Sequence, residues 1–293
     1  MNDNLSKRKP FLPNDTALPF FAYGQFKSDQ IAYERLAPYV EKIEYATMDG
    51  CFLAVRDALP LLGTQEQMKV APPDFKIYGN QVHGEVITFK SSDAQKAYHA
   101  IEDLEPSNVY RWSVKKVNSV NVNVLTGYRI FKGSQSLDSK SWSMEWHDPF
   151  IGDLEKMIDR LLNDEQRKYQ VIELQAAYMM LWAGIERLIA LKYSIKNRNE
   201  EQIRAYLAKN NEIVDLFSEA VVKPDEFRDI HGNKDPETDK RTFVPGNPDQ
   251  CLQYLREIRH NVVHRGKGGF ADTSLTLKAL EFSRKIFQKL YQF

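Results

Sequence analysis

The sequence predicts an α+β domain followed by an all-α domain. Short apolar or alternating runs, most of them cut by glycine or proline, fill the first half and are typical of strands. Long segments in which apolar residues recur at helical spacing fill the second half. A serine-rich polar stretch without a sustained period lies between them, and a length of 293 residues allows two domains.

The first half is interpreted as a small set of short strands with two helices. Residues 1–16 are polar and interrupted by proline, so we expect a disordered arm there. Residues 17–131 then form the α+β domain. Its strands are predicted in "LPFFAYG", "KIEYATMDG", "CFLAVRD", "ALPLLG", "QVHGEVITFK", "NVYRWSVKKV" and "SVNVNVLTGYRIF". Its helices are predicted in "SDQIAYERLAPYV" and "AQKAYHAIEDLE", and Pro106 ends the second.

The second half is interpreted as a bundle of helices. Residues 132–147 are predicted to link the domains, and residues 148–293 form the all-α domain. Asp148 as N-cap followed by Pro149 is a typical helix start. Further helices are predicted in "QVIELQAAYMMLWAGIERLIALKYSI", "NEEQIRAYLAKNNEIVDLFSEAV", "PDQCLQYLREIRHNVVH" and "DTSLTLKALEFSRKIFQKLYQF". A long charged loop is predicted at 223–247.

Composition narrows the class of protein. An apolar content of 42% and a charged content of 27% are ordinary for a globular protein, and no apolar run reaches the roughly 18 residues that a membrane span needs. The N-terminal stretch carries no apolar segment typical of a signal peptide, so we expect a cytoplasmic protein without a membrane partner. Cys51 and Cys251 lie in no C-x-x-C pair, which indicates neither zinc nor a disulfide framework.

The charge balance excludes one mode of nucleic-acid binding. Lys plus Arg and Asp plus Glu both number 40, so the net charge is zero, which argues against a protein that coats nucleic acid through bulk charge. Residues 253–293 nevertheless carry a surplus of five positive charges. A solvated helix face and a local basic site explain that surplus equally well.

The richest stretch of potential chemistry is "IRHNVVHRG", which contains Arg259, His260 and His264. Positions 259 and 264 are five residues apart, so on an ideal helix they diverge by about 140°, whereas 260 and 264 share a face. The diverging pair can act together at a loosened helix end, which the glycines after position 265 would favour, or against a second subunit.

Three interpretations of this stretch stay open on the residues alone. His-x-x-x-His is a metal-ligand spacing, but Asn261 stands where the zincin pattern has glutamate, and no third ligand is evident. Arg and His near a helix C-terminus can also serve a structural role by satisfying terminal carbonyls. The third interpretation is phosphoester chemistry, in which a histidine transfers protons and a guanidinium holds phosphate; RNA cleavage needs no metal or cofactor because the 2′-hydroxyl is an internal nucleophile.

The stretch and the preceding "LWAGIERLIALKY" resemble the HEPN family over roughly residues 148–293. Members are helical bundles that carry an arginine, an adjacent polar residue and a following histidine, and Arg259, His260 and His264 match these positions. The resemblance implies a metal-independent endoribonuclease that acts on RNA as a homodimer, often a toxin or antiviral-defence effector, although some members only bind nucleotides or partners. We expect Glu186, on the second long helix, to orient Arg259 or His264.

A second constellation lies in the first half. Tyr23-Gly24 follows a strand, and such a turn can bind a carboxylate through its backbone N–H groups. Glu105 follows a predicted helix and precedes Tyr110-Arg111, so a carboxylate is expected near the same layer. The alternative interpretation is purely structural: a glycine in a turn, the end of a helix and a tyrosine on a strand.

Together with "VHGEV", these residues resemble the γ-glutamylcyclotransferase-like fold over residues 17–131. That resemblance implies a small barrel-like mixed sheet, a Y-G-[ST]-L loop that holds the γ-glutamyl group, and a general acid/base glutamate, for which Glu105 is the matching position. Gln25 and Phe26 replace the small hydroxyl residue and the leucine of that loop. The departures favour a sensor, regulatory or partner-binding role, with a small-molecule or protein ligand, over catalysis by this domain.

The leading hypothesis from the sequence is therefore an endoribonuclease in the helical half, regulated by the first domain. In it, His264 acts as general base or acid, Arg259 stabilises phosphate charge and His260 assists. The alternatives are a γ-glutamylcyclotransferase-like enzyme that uses Glu105 and a non-catalytic protein that binds nucleotides or partners.

Overall fold

The computed structural model describes two compact units, one formed by residues 1–149 with 191–194 and the other by residues 150–190 with 195–293. The backbone is described over residues 11–105, 107–148, 150–167, 170–193, 200–217, 246–265 and 270–291. Within those ranges, the side chains not described are those at positions 200, 212, 254, 257, 261, 263–265 and 270–272.

The first unit contains two sheets and a few short helices. Its strands are β1 (Phe20–Ala22), β2 (Val40–Asp49), β3 (Cys51–Arg56), β4 (Leu59–Thr64), β5 (Gln81–Phe89), β6 (Tyr110–Val117), β7 (Val120–Gly127) and β8 (Gln135–Ser136). Its α-helices are α1 (Gln65–Met68), α2 (Ala94–Glu102) and α3 (Met144–His147), and two 3-10 helices span Ile31–Arg35 and Ala37–Tyr39.

The larger sheet is mixed and has the order β2-β5-β1-β7-β6. Its pairs are antiparallel except for β1 with β7, which run parallel, and the outer strands β2 and β6 approach each other without pairing. The alternation of β1 places Phe20 and Ala22 in one apolar core and Phe21 in the other, as a strand covered on both faces requires. The smaller sheet has the order β4-β3-β8.

Two segments of the first unit differ from the prediction. Residues 132–147, predicted as a linker, contribute β8 to the smaller sheet and bury Trp142 completely, so they belong to the unit's core. The helix predicted around residues 28–40 is instead a pair of 3-10 helices, because Pro38 has no N–H to donate to a continuous helical ladder.

Part of the segment 1–16, predicted as a disordered arm, is bound to the sheet by hydrogen bonds. The indole N–H of Trp112 donates to the carbonyl of Phe11 at 2.9 Å, and the amide of Asn123 donates to the carbonyl of Asp15 at 2.6 Å. Residues 11–16 are therefore attached to the larger sheet, whereas residues 1–10 lie outside the described part of the chain.

In the second unit, every regular element that the structure describes is a helix. The helices are α4 (Gly152–Asn163), α5 (Val171–Lys192, whose last residues group with the first unit), α6 (Glu200–Leu207), α7 (Asn211–Phe217), α8 (Pro248–Arg265) and α9 (Phe270–Tyr291). The apolar stripe predicted on α5 is confirmed as buried: it consists of Leu174, Ala177, Tyr178, Leu181, Ile185 and Leu188. No helix among these described residues combines the length and apolarity that crossing a membrane would require.

Two contacts show how α9 packs on its neighbours. Gly184 of α5 lies against the ring of Phe287, where an added Cβ would come within 2.8 Å of a ring carbon. Arg284 forms ion pairs with Glu155 and Asp159 of α4, both at 2.6 Å. Helix α4 begins at Gly152, after the start predicted at Asp148 and Pro149. The charged loop predicted at 223–247 lies outside the described residues, apart from its last two positions.

Candidate functional site

Helix α8 carries the candidate site of the second unit. Its inner face is apolar and buried, and the Leu255 carbonyl accepts a hydrogen bond of 2.7 Å from the Tyr178 hydroxyl of α5. Arg259 lies one turn after Leu255 and so projects from the same face of α8. Glu186 lies two turns after Tyr178 on α5. The two helices therefore present a cation and a carboxylate to each other.

Arg259 and Glu186 form a close ion pair. The Nη1 atom of Arg259 lies 2.6 Å from Oε1 of Glu186, and the two side chains are 29% and 18% exposed. A charge-assisted hydrogen bond of this length restricts the guanidinium more than a solvated arginine on a surface is restricted. This contact uses one of the five N–H donors of the guanidinium fork. The expected pairing of Glu186 with Arg259 is thus present.

Positions 259 and 264 lie on one continuous helix. The backbone of α8 remains α-helical through Arg265, so the helix does not loosen before position 264. The two positions are therefore about 140° apart around the axis. His260 is exposed, and the His264 side chain lies outside the described part of the structure. The geometry brings Glu186 and Arg259 together but directs position 264 to another face of the same helix.

Among the described side chains, no group of three or more His, Cys, Asp or Glu residues is arranged to hold a metal ion. His264 is outside that set.

The candidate site of the first unit is the turn that follows β1. Tyr23, Gln25 and Phe26 are all buried, with at most 4% of each exposed. Gly24 lies so close to Pro60 that an added Cβ would come within 2.5 Å of Cγ of that proline, which explains the glycine. Within the described residues, the backbone N–H groups of Gln25 and Phe26 donate to no other backbone carbonyl. The turn therefore presents unpaired donors of the kind that bind anions.

Glu105 lies beside this turn as a buried carboxyl group. Only 6% of the residue is exposed, and its Oε2 atom has no hydrogen-bond partner within the described structure. Burial raises the pKa of the Glu105 carboxyl to about 8, and its contact with the Tyr110 hydroxyl offsets part of that rise. The carboxyl is therefore mostly protonated at neutral pH, which suits a group that must donate a proton.

Two tyrosines complete the surroundings of Glu105. The Tyr110 hydroxyl donates to the Pro60 carbonyl at 2.8 Å, and the Tyr23 hydroxyl approaches the same carbonyl at 3.5 Å. Burial, followed by the nearby Glu105, raises the pKa of both hydroxyls well above their ordinary range. All three ionisable groups are therefore neutral at physiological pH.

The cavity at Glu105 is very small. The space open to the centre of a water molecule is about 10 Å³, lined by Phe20, Ala22, Tyr23, Gly24, Gln25, Phe26, Pro60, Glu105 and Leu125. That volume holds about one water molecule, far below the several hundred Å³ of a small-molecule site. Phe26 packs edge-on against Phe20 with ring centroids 6.1 Å apart, so it occupies part of the space that a smaller residue would leave open.

Comparison with known proteins assigns no function to either candidate site. No protein-family model, curated protein or solved structure matches the chain. The function therefore has to be argued from the two sites themselves.

Sequence reasoning missed a polar pair that holds the turn after β1. Glu85 is 1% exposed and accepts hydrogen bonds of 2.6 Å from both the backbone N–H and the hydroxyl of Ser28. A glutamate inside the apolar strand "VHGEVITF" was the available signal, because a buried carboxylate needs a partner. Its partner lies 57 residues earlier, and the sequence gives no indication of that distance.

Proposed function

We propose that this protein is a metal-independent endoribonuclease that acts as a dimer through Arg259 and His264. The ion pair between Arg259 and Glu186 carries the proposal, because it holds a guanidinium in a fixed orientation at the motif that resembles the HEPN family. In this proposal the helices of the second unit form a HEPN-like bundle. The divergence of positions 259 and 264 on a continuous α8 favours a site that combines residues of two chains.

The reaction needs two proton transfers and one cationic group that stabilises negative charge in the transition state. His264 takes the proton of the 2′-hydroxyl, whose oxygen attacks the adjacent phosphorus and forms a 2′,3′-cyclic phosphate. The bond to the 5′-oxygen breaks, and that oxygen takes a proton from His260. Arg259 stabilises the additional negative charge on the phosphorane oxygens.

The test is RNA cleavage by the purified full-length chain. Arg259→Ala and His264→Ala each abolish cleavage, and EDTA has little effect on the wild type. Lys289→Ala, which removes an exposed cation from α9, serves as the matched control and cleaves as the wild type does. Retained cleavage in both motif variants would refute the proposal.

The proposed biological role is that of a cytoplasmic toxin or antiviral-defence effector whose first unit restrains or triggers the nuclease. Induced expression of the wild type then stops growth, whereas His264→Ala does not. Absence of toxicity together with absence of cleavage of any RNA offered would instead support a non-catalytic module that binds nucleotides or partners.

A second candidate function rests on Glu105. In a γ-glutamylcyclotransferase-like enzyme, the α-amine of a γ-glutamyl compound attacks its own side-chain carbonyl, 5-oxoproline forms and an amine leaves. A protonated carboxyl, one oxygen of which has no hydrogen-bond partner within the described structure, suits the required proton transfer beside the N–H groups of Gln25 and Phe26. However, the one-water cavity admits no such substrate unless Phe26 and Gln25 move. Release of 5-oxoproline that disappears in Glu105→Gln would favour this candidate.

A further inference from the structure

A cluster of two arginines and a tyrosine lies on the first unit at the end of the β6–β7 hairpin. The guanidinium carbon of Arg111 lies 4.1 Å from the centre of the Tyr128 ring, and that of Arg129 lies 5.2 Å from the same centre. Both arginines are exposed. We call Arg111, Tyr128 and Arg129 the arginine–tyrosine patch.

Backbone pairing between β6 and β7 fixes the positions of the patch residues. Residue 111 pairs with Thr126 across the hairpin, and the backbone N–H of Tyr128 donates to the carbonyl of Val109 at 2.7 Å. These contacts fix the strand positions from which Arg111 and the Tyr128 ring project. The patch is therefore built on paired strands rather than on a loose loop.

The turn after β7 is held by Arg56. Its guanidinium donates to the carbonyls of Tyr128, Arg129 and Lys132 at 3.5, 3.4 and 3.2 Å. Arg129 itself has φ of 51°, a left-handed conformation that costs a residue with a Cβ about 1 kcal/mol. The fold thus holds an unfavourable backbone conformation at the residue that brings a second guanidinium to the ring.

The patch gathers positive charge without neutralising it. Among the described residues, no carboxylate forms an ion pair with Arg111 or Arg129. The two guanidinium groups instead lie close enough to the Tyr128 hydroxyl to lower its pKa. Two like charges kept close together, each retaining donors for a ligand, suit an oxyanion with several acceptor oxygens.

We propose that the arginine–tyrosine patch binds the phosphodiester backbone of single-stranded RNA. The assignment to RNA rests on the proposed ribonuclease function, which the patch would serve by holding substrate on the first unit. An anionic membrane surface is the other polyanion to consider. Membrane-binding surfaces place large apolar side chains beside their cations, and none of the large exposed apolar side chains among the described residues belongs to the patch.

The test is binding of a fluorescent 2′-O-methyl oligonucleotide, which cannot form the cyclic phosphate, to the full-length chain at several salt concentrations. The double variant Arg111→Gln with Arg129→Asn removes both charges, and asparagine tolerates the left-handed conformation at 129. Loss of two phosphate contacts makes the negative slope of log K against log salt shallower by about 1.4 and weakens binding about 25-fold at 0.1 M salt. Lys69→Ala with Lys76→Ala removes two exposed lysines elsewhere on the unit as a charge-matched control and leaves both quantities unchanged.

A charge-conserving variant separates the electrostatic role from packing. Arg111→Lys with Arg129→Lys keeps the salt slope and loses only the part of the affinity that depends on the guanidinium fork. Wild-type affinity and slope in the Gln/Asn variant would overturn the proposal. So would unchanged RNA binding accompanied by lost binding to phosphatidylserine vesicles, which would assign the patch to membranes.

The oligonucleotide-binding test of the patch and the cleavage test of the nuclease motif can fail separately. If His264→Ala cleaves RNA like the wild type but the Gln/Asn variant loses oligonucleotide binding, the proposed nuclease site fails and the patch stands. If motif variants abolish cleavage and the Gln/Asn variant binds normally, the nuclease stands and the patch fails.

Discussion

Replacing Glu105 by glutamine is predicted to change how the stability of the first unit depends on pH. Glutamine has nearly the same shape as glutamate but cannot ionise. In the wild type, the carboxyl is buried with one oxygen lacking a hydrogen-bond partner within the described structure, so its charged form is poorly stabilised. The free-energy cost of that charge is what the substitution removes.

The magnitude follows from the two pKa values. The carboxyl titrates near its ordinary 4.5 in the unfolded chain and at about 8 in the folded one. Between these values the folded chain binds more protons than the unfolded chain, so stability falls as pH rises. At about 1.4 kcal/mol per pKa unit, the wild type loses on the order of 5 kcal/mol between pH 4.5 and pH 8, most of which is absent in Glu105→Gln.

The measurement is hydrogen exchange in urea, read on peptides from β5 and β7 so that unfolding of the first unit is followed separately. Experiments run from pH 5 to pH 9, with correction for intrinsic exchange rates. Glu41→Gln, which removes an exposed carboxylate on β2, is the control and keeps the wild-type slope. Parallel curves for wild type and Glu105→Gln across this range would refute the reasoning.

Two further predictions concern the anchoring of each site. Glu186→Gln lowers RNA cleavage by about 10- to 100-fold, because a charged hydrogen bond worth roughly 1.5–3 kcal/mol no longer orients Arg259; single-turnover rates check this, and an unchanged rate would remove Glu186 from the site. Gly24→Ala destabilises the first unit by about 1–3 kcal/mol, because the new Cβ overlaps Pro60 and forces a backbone shift. Urea denaturation tests it, and a midpoint equal to that of the wild type would contradict it.

Much of the architecture could be predicted because the spacing of apolar residues along the chain reflects which side chains are buried. The helical stripe of α5 places a buried face correctly, whereas in β7 the alternation of "VNVNV" does not, because Val120 is exposed and Asn123 is buried between the strand's neighbours. Residues 132–147 are predicted as a linker because their serine-rich composition is typical of one, whereas in the structure β8 pairs with β3 and the side chains of Trp142 and Met144 are buried. A residue that docks onto a distant sheet leaves no periodic signal.

The candidate sites also contain some contacts that the sequence predicts and others that it does not. The resemblance of the helical half offered Glu186 as a partner of Arg259 or His264, and the structure pairs it with Arg259. The contact between Ser28 and Glu85 could not be predicted, because it joins a turn and a strand that only the sheet order brings together. The closure of the cavity by Phe26 likewise depends on tertiary packing, although the size of that residue was already informative.

The most direct test of the central claim is complementation between Arg259→Ala and His264→Ala chains. In a twofold dimer whose sites combine Arg259 of one chain with His264 of the other, a mixed dimer has one intact site and one site that lacks both groups. Unfolding and refolding the two inactive variants together in equal amounts is therefore predicted to restore about a quarter of the wild-type activity, since half of the dimers are mixed and half of their sites are intact. No restored cleavage, in a preparation shown to contain mixed dimers, would contradict the account.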